Sequence, residues 1–323
     1  MQKNILITGG AGFIGSNLAE TLLADERVGI VRVLDNLSNG HRKNIAPFLD
    51  RSDFEFIEGD IRDYDTCLAS CKDMHLVSHQ AALGSVPRSI KDPRTSNDVN
   101  IGGTLNVFKA AEESGINKVV FAASSSTYGD SKALPKREGV IGNPISPYAV
   151  TKLVCELYAQ VFSTLYDFNY IGLRYFNVFG PKQDPNGPYA AVVPLFVKAI
   201  MEGNAPLMHG DGLQSRDFTY VGNAVEANIK ALFATRPDAW NEVYNVAVGE
   251  RTTILELFEM LKEASGSTLA PKFGPTRQGD VKHSLADISK AKNYLGYDPS
   301  FSIKEGLEIA FKWYKEQYLA KTI

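Results

Sequence analysis

The chain has 323 residues, of which 44% are apolar and 22% charged, and a net charge of −3. These are the proportions of a globular protein built as one large domain or two coupled ones. No block of basic charge points to nucleic acid, no apolar run reaches membrane-spanning length, and Cys67, Cys71 and Cys155 are too few for a disulfide framework.

The first element is a short apolar run, Lys3-Asn4-Ile5-Leu6-Ile7-Thr8, which reads as a buried strand. Glycines follow at once in Gly9-Gly10-Ala11-Gly12-Phe13-Ile14-Gly15, and then a helical pattern carried by Phe13, Ile14, Leu18, Leu22 and Leu23. A second apolar run, Ile30 to Leu34, ends in Asp35, twenty residues past Gly15. Each part has a physical job. Glycines let backbone turn sharply and approach a ligand, and the N–H groups opening the next helix favour a pyrophosphate. The acid at Asp35 accepts hydrogen bonds from ribose hydroxyls and repels a 2′-phosphate, which selects NAD over NADP. The glycines fit two registers, Gly10-Gly12-Gly15 or Gly9-Gly12-Gly15.

Phe54 to Glu58 alternates as a third strand and runs into Gly59-Asp60. Asp60 is either a contact to the adenine side of the cofactor or a cap for the helix that follows. Leu76 to His79 is a fourth strand, followed by Gln80-Ala81-Ala82-Leu83-Gly84-Ser85, whose small residues would admit a cofactor. His79 reads as a packed strand histidine. Cys67, Cys71 and His75 lack further ligands nearby, so no metal is expected. A long helix is predicted over 97–114 and a fifth strand over 118–123. Ser146-Pro147 then starts a helix with a serine cap and a first-turn proline. That helix carries Tyr148 and Lys152, four residues apart and so on one face. A sixth strand covers 170–174. Strands alternating with helices predict an α/β fold, a doubly wound parallel sheet of the Rossmann kind with a smaller C-terminal substrate-binding lobe. The expected division is 1–176 for the NAD-binding domain and 177–323 for the lobe, with about 222–248 returning to the first. Beyond Asn177, helices are expected at 192–201, 223–234, 253–264, 288–295 and 303–318, and strands at 218–221 and 243–246.

Chemistry gathers at three residues. An isolated tyrosine is a poor base near neutral pH, but an ammonium one helical turn away favours its phenolate. A hydroxyl at the end of the fifth strand can hold the reacting oxygen of a substrate. Ser124, Tyr148 and Lys152 supply these roles as the candidate catalytic set. The candidate cofactor contacts are Gly9, Gly12, Phe13, Ile14, Gly15, Asp35, Asn36, Asp60, Ile61, Ala81, Ala82, Tyr148, Lys152 and Tyr175.

The sequence resembles the extended short-chain dehydrogenase/reductase family along essentially its whole length. The resemblance rests on the stretch Thr8 to Gly15, on Asp60-Ile61-Arg62-Asp63, on Tyr148-Ala149-Val150-Thr151-Lys152, on the stretch Arg174 to Gly180, and on Arg216-Asp217-Phe218. Within that family the stretches His79 to Ser89 and Gly279 to Asp287 are most similar to bacterial UDP-N-acetylglucosamine 4-epimerases. The resemblance implies NAD as cofactor and a UDP-sugar as substrate, bound by Gly84, Ser85, Ser124, Tyr148, Asn177, Ala191, Val192, Arg216, Arg277, Asp280 and Ser284. Asn177 would meet the diphosphate region, Ala191 and Val192 the uracil and ribose pocket, Arg216 and Arg277 the pyrophosphate, and Asp280 the uridine ribose. Read without it, each arginine is a surface ion-pair residue. Ser284 would lie beside the substituent at C2 of the sugar, where relatives restricted to plain hexoses place a tyrosine; the plainer reading is a small strand or loop residue. Related 4,6-dehydratases carry an Asp-Glu pair at the positions of Ser125 and Ser126, which speaks against dehydration. The rival activities are 4-epimerisation of UDP-galactose or UDP-glucuronate, and net oxidation of a nucleotide sugar. A homodimer through the helices at 97–114 and 148–165 is also implied, and a cytoplasmic, membrane-free protein is expected.

Overall fold

The strand Ile5-Leu6-Ile7 shows how the layers arise. Side chains of a strand alternate between its two faces, so Ile5 and Ile7 enter one buried cluster and Leu6 a second. The same division runs through Val120 against Val119 and Phe121, and through Ile171 and Leu173 against Tyr170. A sheet apolar on both faces must be covered on both. The computed structural model describes residues 2–186, 190–275 and 282–320.

The elements run β1 (Lys3–Thr8), α1 (Phe13–Leu22), β2 (Val28–Asp35), α2 (Arg42–Ile45), β3 (Phe54–Glu58), α3 (Tyr64–Cys71), β4 (Leu76–His79), α4 (Val86–Lys91), α5 (Pro93–Asn97), α6 (Gly103–Glu113), β5 (Lys118–Ser124), α7 (Pro147–Leu165) and β6 (Asn169–Tyr175). They continue with β7 (Val178–Phe179), α8 (Val192–Met201), β8 (Leu207–His209), β9 (Ser215–Arg216), β10 (Thr219–Tyr220), α9 (Val221–Leu232), β11 (Glu242–Val246), β12 (Thr252–Thr253), α10 (Ile254–Ser265), β13 (Lys272–Gly274), α11 (Ser289–Leu295) and α12 (Ile303–Leu319). Seven strands form one parallel sheet in the order β11-β6-β5-β4-β1-β2-β3. The order reverses between β1 and β4, the place where such sheets open a crevice for ligands. Leu18, Ala19 and Leu22 of α1 and Ala224, Ala227 and Ala231 of α9 fill the cluster on one face. Cys67 and Cys71 of α3, Phe108 of α6, and Cys155, Ala159 and Phe162 of α7 fill the other. This is the doubly wound α/β architecture that the alternation of elements predicts.

After β6 the chain builds a lobe from α8, α10 and α12, in which Phe196 meets Phe258 edge to face at 5.9 Å. Capping boxes at Thr253 with Glu256 and at Ser302 with Glu305 set the starts of α10 and α12. Between these, α9 and β11 return to the sheet, with Glu242 to Val246 in register with Ile171 to Tyr175 of β6.

Three elements differ from the sequence reading. The helix expected over 97–114 begins at Pro93 and contains a wide π-type turn over Asp98–Gly102. There Asn100 turns inward to hold the backbone of Leu83, and Gly103 lies so close to Ile61 that a Cβ would stand 2.4 Å from its Cδ1. The strand expected over 218–221 shrinks to Thr219–Tyr220, because helix α9 already starts at Val221. Asp60 is not the cap of α3; Asp63 is, accepting the Asp65 N–H. Among the described residues no helix is long and apolar enough to cross a membrane.

Candidate active site

The carboxyl ends of β1, β2, β4, β5 and β6 open into a cleft of about 620 Å³. All fourteen candidate cofactor residues line it: Gly9, Gly12, Phe13, Ile14, Gly15, Asp35, Asn36, Asp60, Ile61, Ala81, Ala82, Tyr148, Lys152 and Tyr175. So do Ser124 and, from the candidate substrate set, Gly84, Ser85 and Asn177.

The glycine loop is shaped by close backbone approaches. Gly9 has φ +71, and a Cβ on it would lie 2.6 Å from the Ala81 nitrogen. A Cβ on Gly15 would lie 2.3 Å from the Gly9 carbonyl oxygen. Gly10 instead packs against the side chain of Val33 and does not line the cleft. The register lining the cleft is therefore Gly9-Gly12-Gly15. Asp35 is buried at the end of β2, and both its oxygens are engaged by backbone: Oδ2 accepts the Ala11 N–H at 2.9 Å and Oδ1 the Leu37 N–H at 2.8 Å. Burial pushes this carboxyl up, and those N–H groups pull it back. Asp35 thus both fixes the loop and presents its remaining lone pairs to the cleft. Asp60 receives Asn36 Nδ2 at 2.8 Å and Arg62 Nη2 at 2.7 Å, and the Arg62 guanidinium holds it down at about 2. With a backbone cradle that side chains would fill, an acid at the ribose position and small residues opposite, the cleft fits NAD.

At the other end, Lys152 is buried and its Nζ donates to the Ala122 carbonyl at 2.7 Å. That places the ammonium 6.0 Å from the centroid of the Tyr148 ring. Ser124 Oγ accepts both the Ser126 N–H at 3.1 Å and the Ser126 hydroxyl at 2.9 Å. Its acceptor positions are occupied, so what it can still offer the cleft is its own proton. The first turn of α7 is held by Ser146, whose Oγ accepts the Ala149 N–H, and by Ser89, whose Oγ accepts the Tyr148 N–H at 3.0 Å.

Several pairings that support the site carried no local signal in the sequence. Tyr175 donates to Gln80 Oε1 at 3.1 Å and accepts from Asn228 Nδ2 at 2.7 Å, and Gln80 Nε2 donates to Asn228 Oδ1 at 2.9 Å. Burial pushes the Tyr175 phenol up to about 12, so it stays neutral. Asn100 receives the Leu83 N–H and donates to Thr151 beside Lys152. Asp217 is fully buried; its carboxylate accepts the N–H groups of Val248, Gly249 and Ala286, tying the lobe's loops together, and burial pushes it up to about 7. These partners lie tens of residues apart, which no spacing rule reaches. His79 is packed, as its place in β4 suggests, between Thr8 Oγ1 and Thr104 Oγ1. His75 accepts the Asn4 N–H at the far end of the sheet, and among the described residues no group of acids, histidines and cysteines could hold a metal.

The remaining candidate substrate residues lie in the lobe. Val192 and Arg216 line a separate hollow of about 80 Å³ with Phe196, Gln214 and Ile254. Ala191 is exposed at the start of α8. Ser284 is half-buried, and its N–H donates to the Ser215 carbonyl at 3.0 Å, next to Arg216. Arg277 and Asp280 lie outside the described residues.

Residues 5–247 match the NAD dependent epimerase/dehydratase family. The chain belongs to that family. It is an NAD-dependent epimerase of the extended short-chain dehydrogenase/reductase type, and several of its relatives are named for UDP-sugars. A UDP-N-acetylglucosamine 4-epimerase from Methanobrevibacter ruminantium, solved with UDP-N-acetylmuramic acid, is 41% identical, with a TM-score of 0.92 over 98% of this chain and 99% of that one. A UDP-glucuronic acid 4-epimerase from Bacillus cereus, solved with UDP-glucuronic acid and NAD, is 32% identical, with a TM-score of 0.90 over 98% of this chain and 100% of that one. The UDP-glucose 4-epimerase of Mycolicibacterium smegmatis is 37% identical over 314 residues, covering 97% of this chain and 98% of the other.

Proposed function

We propose that the protein interconverts the UDP-N-acetylhexosamines UDP-GlcNAc and UDP-GalNAc by inversion at C4 of the sugar. When bound, NAD supplies the chemistry of removing a hydride from C4 and returning it. The chain's own residues do the rest. Tyr148 takes the proton of the C4 hydroxyl and gives it back once the sugar has turned over. Lys152, held by the Ala122 carbonyl, sets its ammonium 6.0 Å from the centre of that ring. Ser124 donates a hydrogen bond from its hydroxyl to the oxygen at C4 and keeps its proton throughout. The small residues Gly84 and Ser85 leave the sugar room, and Ser125 and Ser126 offer no acid and base with which to expel water. Asn177, Ala191, Val192, Arg216, Arg277 and Asp280 are proposed to hold the nucleotide. A UDP-sugar substrate accords with the relatives' names.

The observation that carries the choice of sugar is the small side chain at Ser284. In the family that the chain resembles this position lies beside the C2 substituent, where a tyrosine would fill the space that an acetamido group needs. The relatives named UDP-glucose 4-epimerase favour the second reading, a plain hexose. Ser284→Tyr separates the two. Forcing a ring against the acetamido group should cost about 1–3 kcal/mol by analogy with an overpacked core, or roughly fivefold to over a hundredfold in turnover. The loss should fall on UDP-GlcNAc and UDP-GalNAc and spare UDP-Glc and UDP-Gal. If both pairs fall equally, or neither changes, Ser284 is not the gate.

A homodimer through α6 and α7 completes the proposal. Val150, Leu157, Val161 and Leu165 recur at intervals of seven, four and four positions along α7 and are 45–67% exposed, an apolar stripe that a second copy would cover. Light scattering of the purified protein tests it.

A further inference from the structure

We propose that Ser89 is a positioning residue for Tyr148, coupling the seating of the sugar-side loop to the orientation of the proton-carrying ring. The inference rests on the reading of Tyr148 given above. It starts at Ser85, which lines the cleft and has φ +102, a conformation that residues other than glycine rarely adopt. Ser85 opens the short helix α4: its Oγ accepts the Arg88 N–H at 3.3 Å and its carbonyl accepts the Ser89 N–H at 3.2 Å. One turn later Ser89 is fully buried. Its hydroxyl donates to the Val86 carbonyl at 2.8 Å and accepts the Tyr148 N–H at 3.0 Å.

The Tyr148 N–H is one of the donors that a helix start leaves without an intrahelical partner. Pro147 has no N–H, and the Ala149 N–H goes to Ser146 within the same chain segment. The tyrosine's own amide is therefore satisfied from outside the helix, by a side chain whose helix begins at the sugar-side loop. A shift of Ser85 is passed through α4 to the backbone of Tyr148. Gly84 and Ser85 contact the sugar in the proposed reaction, so loop and ring settle together.

Ser89→Ala takes from the half-buried Tyr148 N–H the acceptor that now pairs it. The first turn of α7 should loosen, and kcat should fall roughly tenfold with KM for the UDP-sugar and the affinity for NAD nearly unchanged. Ser89→Thr keeps the oxygen and should recover most of the rate. Ser89→Cys fills the same space with a weak acceptor, folds if alanine does not, and should fall between alanine and wild type. In a Tyr148→Phe background, Ser89→Ala should add almost nothing to the residual loss, because its effect passes through the tyrosine. Amide exchange over 147–152 in the NAD-loaded protein gives a readout that needs no turnover, and should quicken in the alanine and cysteine variants. Faster exchange with no epimerase activity in wild type would sink the function and leave the coupling standing. Unchanged exchange and kcat, an equal loss in the Tyr148→Phe background, or a kcat loss matched by release of NAD would overturn the coupling itself.

Discussion

An alanine at Gly15 should weaken the cofactor cradle although it should strengthen the helix that carries it. Gly15 lies in the first turn of α1, where replacing glycine by alanine gains about 0.5–1 kcal/mol of helix propensity. Against that, the new Cβ would stand 2.3 Å from the Gly9 carbonyl oxygen, 2.8 Å from the Gly10 Cα and 2.9 Å from the Gly9 carbonyl carbon. All three are backbone atoms, and ordinary contact begins more than 1 Å further from the nearest of them. Side chains could rotate away; this loop cannot, because the Asp35 carboxylate holds Ala11 and the Gly9 carbonyl accepts the Gly12 N–H. Overpacking of this kind costs about 1–3 kcal/mol, so the clash outweighs the gain. A fall of a few degrees in Tm is expected at the scale of about 2–4 °C per kcal/mol for domains of this order of size. Affinity for NAD should drop roughly tenfold or more, since the displaced loop is the one expected to meet the pyrophosphate. Calorimetric titration of NAD, with melting curves at and without saturating NAD, measures both. Gly102→Ala is the internal control. It is also helical, but nothing lies within 4 Å of its Cβ position, so the same substitution should be neutral or stabilising there. If Gly15→Ala binds NAD like wild type and melts no lower, the loop yields cheaply and the reading of these glycines as close-approach positions is wrong.

Replacing Asp35 with serine should bring NADP affinity up towards that of NAD and weaken NAD itself, because the Ala11 and Leu37 N–H groups lose their acceptors; wild-type protein that binds both cofactors equally would contradict the role given to the acid. Tyr148→Phe should lower turnover by about a hundredfold or more while leaving UDP-sugar binding intact, and near-native turnover would remove Tyr148 from the mechanism. Burial depresses the His79 imidazole to about 3, with the Lys152 charge adding to the effect. An unfolded histidine titrates near 6.5, so the unfolded chain takes up the proton first. The contribution to stability is full above about pH 6.5 and is lost as pH falls towards 3. His79→Gln should therefore flatten the stability profile across that window by up to about 1.4 kcal/mol per pH unit; parallel profiles for variant and wild type would count against it.

What the sequence made legible follows from the range of each physical signal. Alternation and helical periodicity act over neighbouring residues, so the strands at Lys3, Phe54 and Leu76 and the helices at Ile254 and Ile303 were readable in outline. The strands β7, β9 and β12 have two residues each, too short for a period to show, and the equally short β10 reads in the sequence as a strand of four. The π-type turn at Asp98–Gly102 answers to Leu83 and Ile61, which its own residues do not announce. At the site, the cofactor candidates share the cleft because glycine spacing, the acid at Asp35 and the four-residue step from Tyr148 to Lys152 are local. Gln80 with Asn228, Ser89 with Tyr148, and Asp217 with Ala286 are pairs that exist only after folding. Asp60 shows the limit from the other side: composition around it allowed a cap, and the side chain three residues later took that place.

The return of α9 and β11 to the sheet makes the two parts of the molecule inseparable by cutting. A fragment ending at Tyr175 would leave the backbone of β6 as a bare edge, where Glu242 to Val246 now pair with it. It would also strip part of the cover from one face, since Ala224, Ala227 and Ala231 share with α1 the closing of the cluster around Ile5 and Ile7. Exchanging the lobe between relatives as a cassette would therefore break the barrier between core and water at two junctions at once. Single substitutions made in place, at positions such as the proposed gate Ser284, leave that scaffold folded by both halves of the chain.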